Sequence, residues 1–138
     1  MAILNYTTSI ATEKTAAEIQ KKLAMTGAQA VLYEYDDNGI MSAMSFRIKT
    51  IFFRLPINIE GVYTVLVEDS SVPNRLKSHE QAARVAWRII KDWIEAQIAI
   101  IEAGQAKLEQ VFLPYAQNQD GKTLYEVVRD SGFKQLTE

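Results

Sequence analysis

The chain has 138 residues, a hydrophobic content of 48% and no cysteine, which excludes disulfides, thiolate metal sites and cysteine nucleophiles. Its length suits one domain with a core of its own, so we predict a single domain over residues 1–138. The formal net charge of −2 gives no overall attraction to nucleic acid, so such binding requires a local basic patch. The sequence has neither a secretory leader nor a stretch of about 18 apolar residues, and we expect a cytoplasmic protein without a membrane span.

The amino-terminal part predicts a strand and then a helix. Residues 2–10 alternate loosely between apolar and polar side chains, which is typical of a strand. Thr15 and Glu18 have the spacing of a capping box, in which each side chain accepts from the other residue's backbone amide. A helix from about 16 to 25, ending at Gly27, is therefore expected.

A hairpin is predicted next. Residues 31–36 alternate in hydrophobicity, the turn Asp36-Asp37-Asn38-Gly39 follows, and a second alternating run covers residues 40–48. Asn-Gly between two alternating segments is a strong hairpin signal, because both residues tolerate the positive φ angles of tight turns.

The alternation of apolar and polar residues then shifts by one position between Ile48 and Ile51, which gives a phase slip in the pattern. Apolar residues occupy even positions up to Ile48 and odd positions from Ile51, so one regular strand cannot bury both sets. A bulge, a tight turn or an omitted loop at Lys49-Thr50 would each explain the slip. The residues alone favour a bulge, because lysine and threonine are poor residues for a two-residue turn. Pro56 ends the strand, since proline has no amide to donate.

Three helices are predicted in the rest of the chain, the last of them a turn or two over residues 123–129. Residues 58–68 have strand propensity, but Asn58 as a cap and apolar residues at helical spacing favour a helix. A long helix of about 40 Å begins at Ser78, where Ser78 and Gln81 have the spacing of a capping box, and ends near Ala103. It is apolar around most of its circumference, with one polar stripe of Gln81, Arg84, Arg88, Lys91, Asp92, Glu95 and Glu102. We therefore predict an α+β fold in the order β-α-β-β-β-α-α-α, with a three- to four-stranded antiparallel sheet packed against the long helix.

Basic side chains in and before the first half of this stripe form the main candidate site for nucleic acid or an acidic partner. They are Arg75, Lys77, Arg84, Arg88 and Lys91, and a possible extension across the sheet consists of Arg47, Lys49 and Arg54. Positive charge near the positive end of a helix dipole is mildly unfavourable unless an anion compensates it. The alternative is pairing within the helix, of Arg88 with Asp92 and of Lys91 with Glu95, which would make the stripe an ordinary solvated surface.

Three other residues of the long helix suggest a core or oligomer seam. Trp87 and Trp93 lie on different sides of the helix, and Gln97 interrupts its apolar arc. A buried amide needs hydrogen-bond partners, either in a neighbouring loop or across a homodimer interface. Core anchoring is the expected role of the tryptophans, with binding hot spots or a homodimer seam as the alternative.

Signals for an enzyme are weak. His79 is the single histidine and lies in a capping region, where a surface role is expected. Glu34, Asp36 and Lys49 are similar in type to the acidic pair and lysine of metal-dependent nucleases. However, Arg47 occupies the position two residues before the lysine, where such enzymes have a metal ligand. We expect no catalytic residues, no metal and no cofactor.

The segments MAILNYTT, EYDDNG, FRLP, ARVAWRIIKDWIEAQ and VFLPYA resemble a family of small uncharacterised proteins carried by bacteriophages and other mobile elements. The resemblance carries no catalytic motif. It implies a bacterial host cytoplasm, and a role in binding nucleic acid or antagonising the host. Similar sequences have a few polar residues between the equivalents of Thr50 and Ile51, which favours a hairpin here, either with a shortened turn or with an omitted tip.

Three functional hypotheses follow, in decreasing order of preference. The first is a non-enzymatic accessory protein that binds nucleic acid or a nucleoprotein through the basic patch. The second is a protein-binding inhibitor of a host defence system, of the anti-CRISPR or anti-restriction type. The third is the metal-dependent nuclease.

Overall fold

The computed structural model describes residues 2–137, in which one antiparallel sheet packs against helices. The sheet has the order β1-β2-β3. Its strands are β1 (Ala30–Tyr35), β2 (Met41–Ile48) and β3 (Ile51–Arg54). The helices are α1 (Thr12–Met25), α2 (Ile59–Glu68), α3 (His79–Glu102), α4 (Leu108–Phe112), α5 (Leu124–Asp130) and α6 (Lys134–Thr137), and 3-10 turns cover Asn74–Leu76 and Leu113–Tyr115. The predicted α+β fold, with its long helix on a three-stranded sheet, is confirmed.

The predicted strand within residues 2–10 is instead a pair of turns. Asn5 adopts a positive φ of 66°, and the amide of Thr8 donates to its carbonyl. The buried Gln81 side chain on α3 donates from Nε2 to the carbonyls of Tyr6 and Thr8, both at 2.9 Å. These carbonyls therefore bind a helix side chain rather than a neighbouring strand.

Replacement of Gln81 by leucine is expected to loosen this amino-terminal segment and to lower the free energy of unfolding by about 2 kcal/mol, since two partly buried carbonyls lose their donor. Hydrogen exchange should accelerate in residues 3–8, with urea denaturation measuring the overall loss. Gln97→Leu, at a half-buried position of the same helix, provides the matched control. Unchanged exchange in residues 3–8 of the Gln81 variant would contradict this role.

Helix α1 begins earlier than its predicted capping box. Its amino-terminal cap is Ala11, which makes no side-chain capping bond. Thr15 is buried inside the helix, and its hydroxyl accepts a hydrogen bond from Arg88 Nη1 at 3.3 Å. The prediction was wrong because the threonine hydroxyl is used in a tertiary contact rather than at the helix end.

Both predicted turns of the sheet are hairpins. In the first, Asp36 Oδ1 accepts from the amides of Asn38 and Ile40, at 2.9 and 3.0 Å. In the second, Ile48 pairs directly with Ile51, so the phase slip is a two-residue turn rather than a bulge. Lys49 has a φ of 55° at that turn.

Two side chains, one of them outside the hairpin, support the Lys49 turn. The Oε1 of Gln29 accepts from the Lys49 amide at 3.0 Å. The Nη1 of Arg47 donates to the Lys49 carbonyl at 2.7 Å. These bonds offset the cost of a positive φ in a residue with a β-carbon.

Helices α2 and α3 begin at the predicted caps. Asn58 Oδ1 accepts from the Gly61 amide at 2.9 Å, which settles residues 58–68 as a helix. Ser78 Oγ accepts from the Gln81 amide at 3.1 Å, although the Gln81 side chain does not complete the predicted capping box. Two apolar clusters form around α3. The larger joins α3 to the sheet and α1 through Ile19, Leu23, Met44, Phe46, Trp87, Ile90 and Ile94, and the smaller joins α2 to the start of α3 through Leu66, Val72, Leu76 and Ala82.

Candidate nucleic-acid interface

Two of the basic residues predicted on α3 are engaged with carboxylates. Arg88 Nη1 lies 3.0 Å from Glu18 Oε2 on α1, and Lys91 Nζ lies 3.8 Å from the same oxygen. Lys91 also forms an ion pair with Glu95, and this hydrogen bond lowers the pKa of the Glu95 carboxyl. The side chains of Arg88 and Lys91 are only 15% and 18% exposed. They hold α1 against α3 and present little free charge to a ligand.

The remaining predicted bases near α3 do not gather around this pair. Arg84 Nε donates to the Oε1 of Gln81 at 2.9 Å. The predicted partner of Arg88, Asp92, instead accepts from Asn5 Nδ2 at 2.9 Å. Arg75 and Lys77 flank Leu76, which belongs to the smaller apolar cluster. Of the bases in the α3 stripe, Arg88 and Lys91 are therefore paired with carboxylates, whereas Arg84 bonds to a neutral amide.

Of the three residues proposed as an extension, Arg47 and Arg54 lie on the face of the sheet opposite α3, and Lys49 lies in the hairpin turn that follows β2. In the strand register, Arg47 on β2 lies between Ala30 on β1 and Phe52 on β3. In the next row, Ser45 lies between Leu32 and Arg54. The exposed apolar residues of this outer face are Leu32 and Phe52.

An ion pair crosses the central strand on this face. Arg54 Nη1 on β3 lies 2.6 Å from Glu34 Oε2 on β1. The β2 side chains in the rows that these two residues occupy are Ser45 and Ala43, both small and buried. Both charged partners remain well exposed, so solvent screens their attraction and a ligand can compete for Arg54.

A cleft of about 350 Å³ adjoins the outer face beside β3. Its lining consists of Thr50, Phe52, Gln117, Asn118, Gln119 and Gly121. The loop 117–121 is fixed to the sheet, because the Gln117 amide donates to the Phe52 carbonyl at 2.8 Å. Asn118 Oδ1 accepts from two amides of the loop, and Gly121 turns the chain with a φ of 81°. An exposed aromatic ring and a set of amide side chains thus share one rigid cleft.

The residues of the predicted seam occupy different environments. Trp87 is completely buried, and its Nε1 donates to the Met41 carbonyl at 3.0 Å. Trp93 is partly buried and meets Phe112 and Tyr115 edge to face, with ring centroids 5.8 and 5.4 Å apart. Gln97 is half-buried in the carboxyl-terminal third of α3. The tryptophans therefore pack within the chain, and a homodimer through this seam stays a prediction.

The residues of the nuclease hypothesis lie apart. Glu34 pairs with Ala43, while Lys49 lies at the opposite end of β2, roughly 20 Å away at about 3.3 Å per residue. Asp36 Oδ1 is engaged in its turn. Within residues 2–137, no group of three or more histidine, cysteine, aspartate or glutamate residues could hold a metal ion.

His79 makes contacts that the sequence did not suggest. Its Nε2 lies 3.0 Å from Glu60 Oε1, and its ring stacks on Tyr63 at a centroid distance of 3.8 Å. The adjoining cavity of about 460 Å³ also contains the carboxylates Asp36 and Glu80. This environment repels anions, and the contacts join α2 to the beginning of α3.

No family model, curated protein or solved structure matches this chain. Across the part of the chain that the structure describes, the helices are too short or too polar to cross a membrane.

Proposed function

We propose that this protein binds nucleic acid through the outer face of its sheet, as a non-enzymatic accessory protein of a bacteriophage or other mobile element. The observation that carries the proposal is the register that places Arg47 directly opposite the exposed Phe52, with Arg54 two residues further along β3. Guanidinium groups bind phosphate and stack on bases, and aromatic rings stack on bases of any sequence. The resemblance to phage proteins supplies the biological setting.

The distribution of unpaired positive charge favours the outer face of the sheet, rather than the surface of α3, as the binding surface. Arg47 makes its side-chain bonds to neutral acceptors, the Oε1 of Gln29 and the carbonyl of Lys49. Lys49 is exposed at the hairpin tip. Their positive charges therefore remain available to phosphates, whereas Arg88 and Lys91 are already paired with carboxylates.

Removing the charges of the sheet face should weaken the binding of nucleic acid and its dependence on salt. For an Arg47→Ala/Lys49→Ala double variant, we expect the slope of log K against log salt to fall in magnitude by about 1.4 to 1.8, because two phosphate contacts are lost. Fluorescence anisotropy with labelled oligonucleotides at several salt concentrations provides the measurement.

The matched control is Arg75→Ala/Lys77→Ala, which removes the same charge from the segment before α3. It should leave the salt slope close to that of the parent protein. A larger loss of salt dependence in this control than in the sheet variant would place the binding site at the beginning of α3 instead. Absence of salt-dependent binding to any DNA or RNA would refute the proposed function.

A second candidate is the protein-binding inhibitor of a host defence system. It is favoured by apolar side chains exposed on α5, on α6 and in the turn between them, namely Leu124, Tyr125, Val127, Phe133 and Leu136. Exposed apolar groups of this kind are often covered by a protein partner. The expected result is a stoichiometric complex that resists nuclease and is lost in a Tyr125→Ala/Leu136→Ala variant, while Arg47→Ala/Lys49→Ala retains it.

A further inference from the structure

The cleft beside β3 has the chemistry of a site for a flat polar group. Phe52 is 39% exposed and forms one wall, so an apolar aromatic surface is presented to solvent. The neighbouring residue Phe53 is buried, and it holds β3 in place by stacking on Phe46 at a centroid distance of 5.2 Å. The exposed ring is therefore carried by a rigid strand and needs no large rearrangement to receive a ligand.

The opposite side of the cleft offers hydrogen-bonding groups. Gln117 Nε2 donates to the Gly121 carbonyl at 3.0 Å, which orients this amide and leaves its Oε1 as an acceptor. Asn118 uses Oδ1 for the loop amides, so its Nδ2 is the group that can donate to a ligand. Donors and acceptors beside an aromatic face match the edge and face of a nucleobase.

Basic groups border the same cleft. Arg47 is directly opposite Phe52. The Cβ atoms of residues paired in this way are about 5 Å apart. Lys49 immediately precedes Thr50, which lines the cleft. In the loop, Asp120 is the residue whose charge would oppose a phosphate. A backbone that follows the hairpin would therefore meet positive charge while one base enters the cleft.

We propose that this cleft binds an unpaired base of a single-stranded nucleic acid, stacked on Phe52. The inference rests on the proposed function and specifies its substrate class. A paired base has both faces covered by its neighbours in the duplex, so it cannot stack on a ring at the edge of a sheet. An apolar protein segment fits the site less well, because amide side chains and positive charge surround the ring.

The test compares binding of single-stranded and duplex oligonucleotides of equal length by the parent protein and by Phe52→Ala, Phe52→Leu and Phe52→Trp. We expect a preference for single strands that falls about 5- to 100-fold in the alanine and leucine variants, which is the loss of one stacked base. The tryptophan variant should retain the preference, and its emission should be quenched by single strands. Leucine preserves apolar bulk without a π face, so it separates stacking from general apolar contact.

Two further variants sharpen the result. Asp120→Asn should tighten the binding of single strands several-fold by removing an opposing charge. Val67→Ala, which shortens an exposed apolar residue on α2 and not on the outer face of the sheet, should leave the single-strand preference unchanged. Circular dichroism of each variant verifies that the fold is retained.

The failures of the inference and of the proposed function give different results. Salt-dependent binding that is equal for duplex and single strands, or a single-strand preference that persists in Phe52→Ala, overturns the stacked base but leaves nucleic-acid binding intact. No binding to either form overturns both. A nuclease-resistant protein complex that Phe52→Ala abolishes and Phe52→Leu preserves would assign the cleft to a protein partner instead.

Discussion

Replacement of Trp87 by alanine is expected to lower the free energy of unfolding by about 3–5 kcal/mol, the cost of a large cavity in a well-packed core. Trp87 is completely buried where α3 meets the sheet. Its indole also satisfies the Met41 carbonyl at 3.0 Å, so truncation leaves a backbone acceptor without its donor. Urea denaturation followed by circular dichroism measures the loss.

Two variants separate the cavity from the hydrogen bond. Trp87→Phe fills much of the space but cannot donate, and we expect a loss of about 1–3 kcal/mol. Trp93→Phe, at a partly buried position of the same helix, should cost less than Trp87→Phe. If Trp87→Phe were as stable as the parent, the bond to the Met41 carbonyl would contribute nothing to stability.

Replacement of Phe112 by alanine is expected to lower the free energy of unfolding by about 3–5 kcal/mol and also to disturb the cleft. Phe112 is completely buried at the end of α4 and meets Phe46 and Phe53 edge to face, with ring centroids 5.5 and 6.2 Å apart. The chain that follows pairs Ala116 with Phe53 and then forms the loop 117–121. Loss of the aromatic anchor therefore frees the segment that builds one side of the cleft.

Two measurements test this coupling. Under conditions where the Phe112→Ala variant is still folded, hydrogen exchange at the Gln117 amide should accelerate and the affinity for single strands should fall. Phe112→Leu, which preserves most of the apolar volume, should reduce both effects. An unchanged exchange rate at Gln117 in the alanine variant would show that the loop is held independently of Phe112.

Local chemistry was sufficient to predict several elements correctly. Asn58 and Ser78 marked the beginnings of α2 and α3, because a cap is a contact between residues only three positions apart. The first hairpin followed from Asn38-Gly39 for the same reason. The capping pattern at Thr15 predicted the wrong beginning for α1, because the Thr15 hydroxyl bonds to Arg88 across the helix interface.

The second hairpin depended on contacts that the sequence does not reveal. Lys49 adopts a conformation that lysine rarely takes, and Gln29, twenty residues earlier, provides part of the support. Residues 2–10 likewise took their shape from Gln81, which lies far along the chain. In both places a long-range hydrogen bond prevailed over local preference.

By itself, the sequence determined the fold class, the long helix and the list of basic residues, because hydrophobic period and cap spacing are local properties. Only the tertiary structure decided which of those bases carry available charge. Glu18, on another helix, meets Arg88 and Lys91, whereas strand register places Arg47 beside Phe52. Charge pairing and register depend on which distant segments meet, and that is fixed when the sheet and α1 pack against α3.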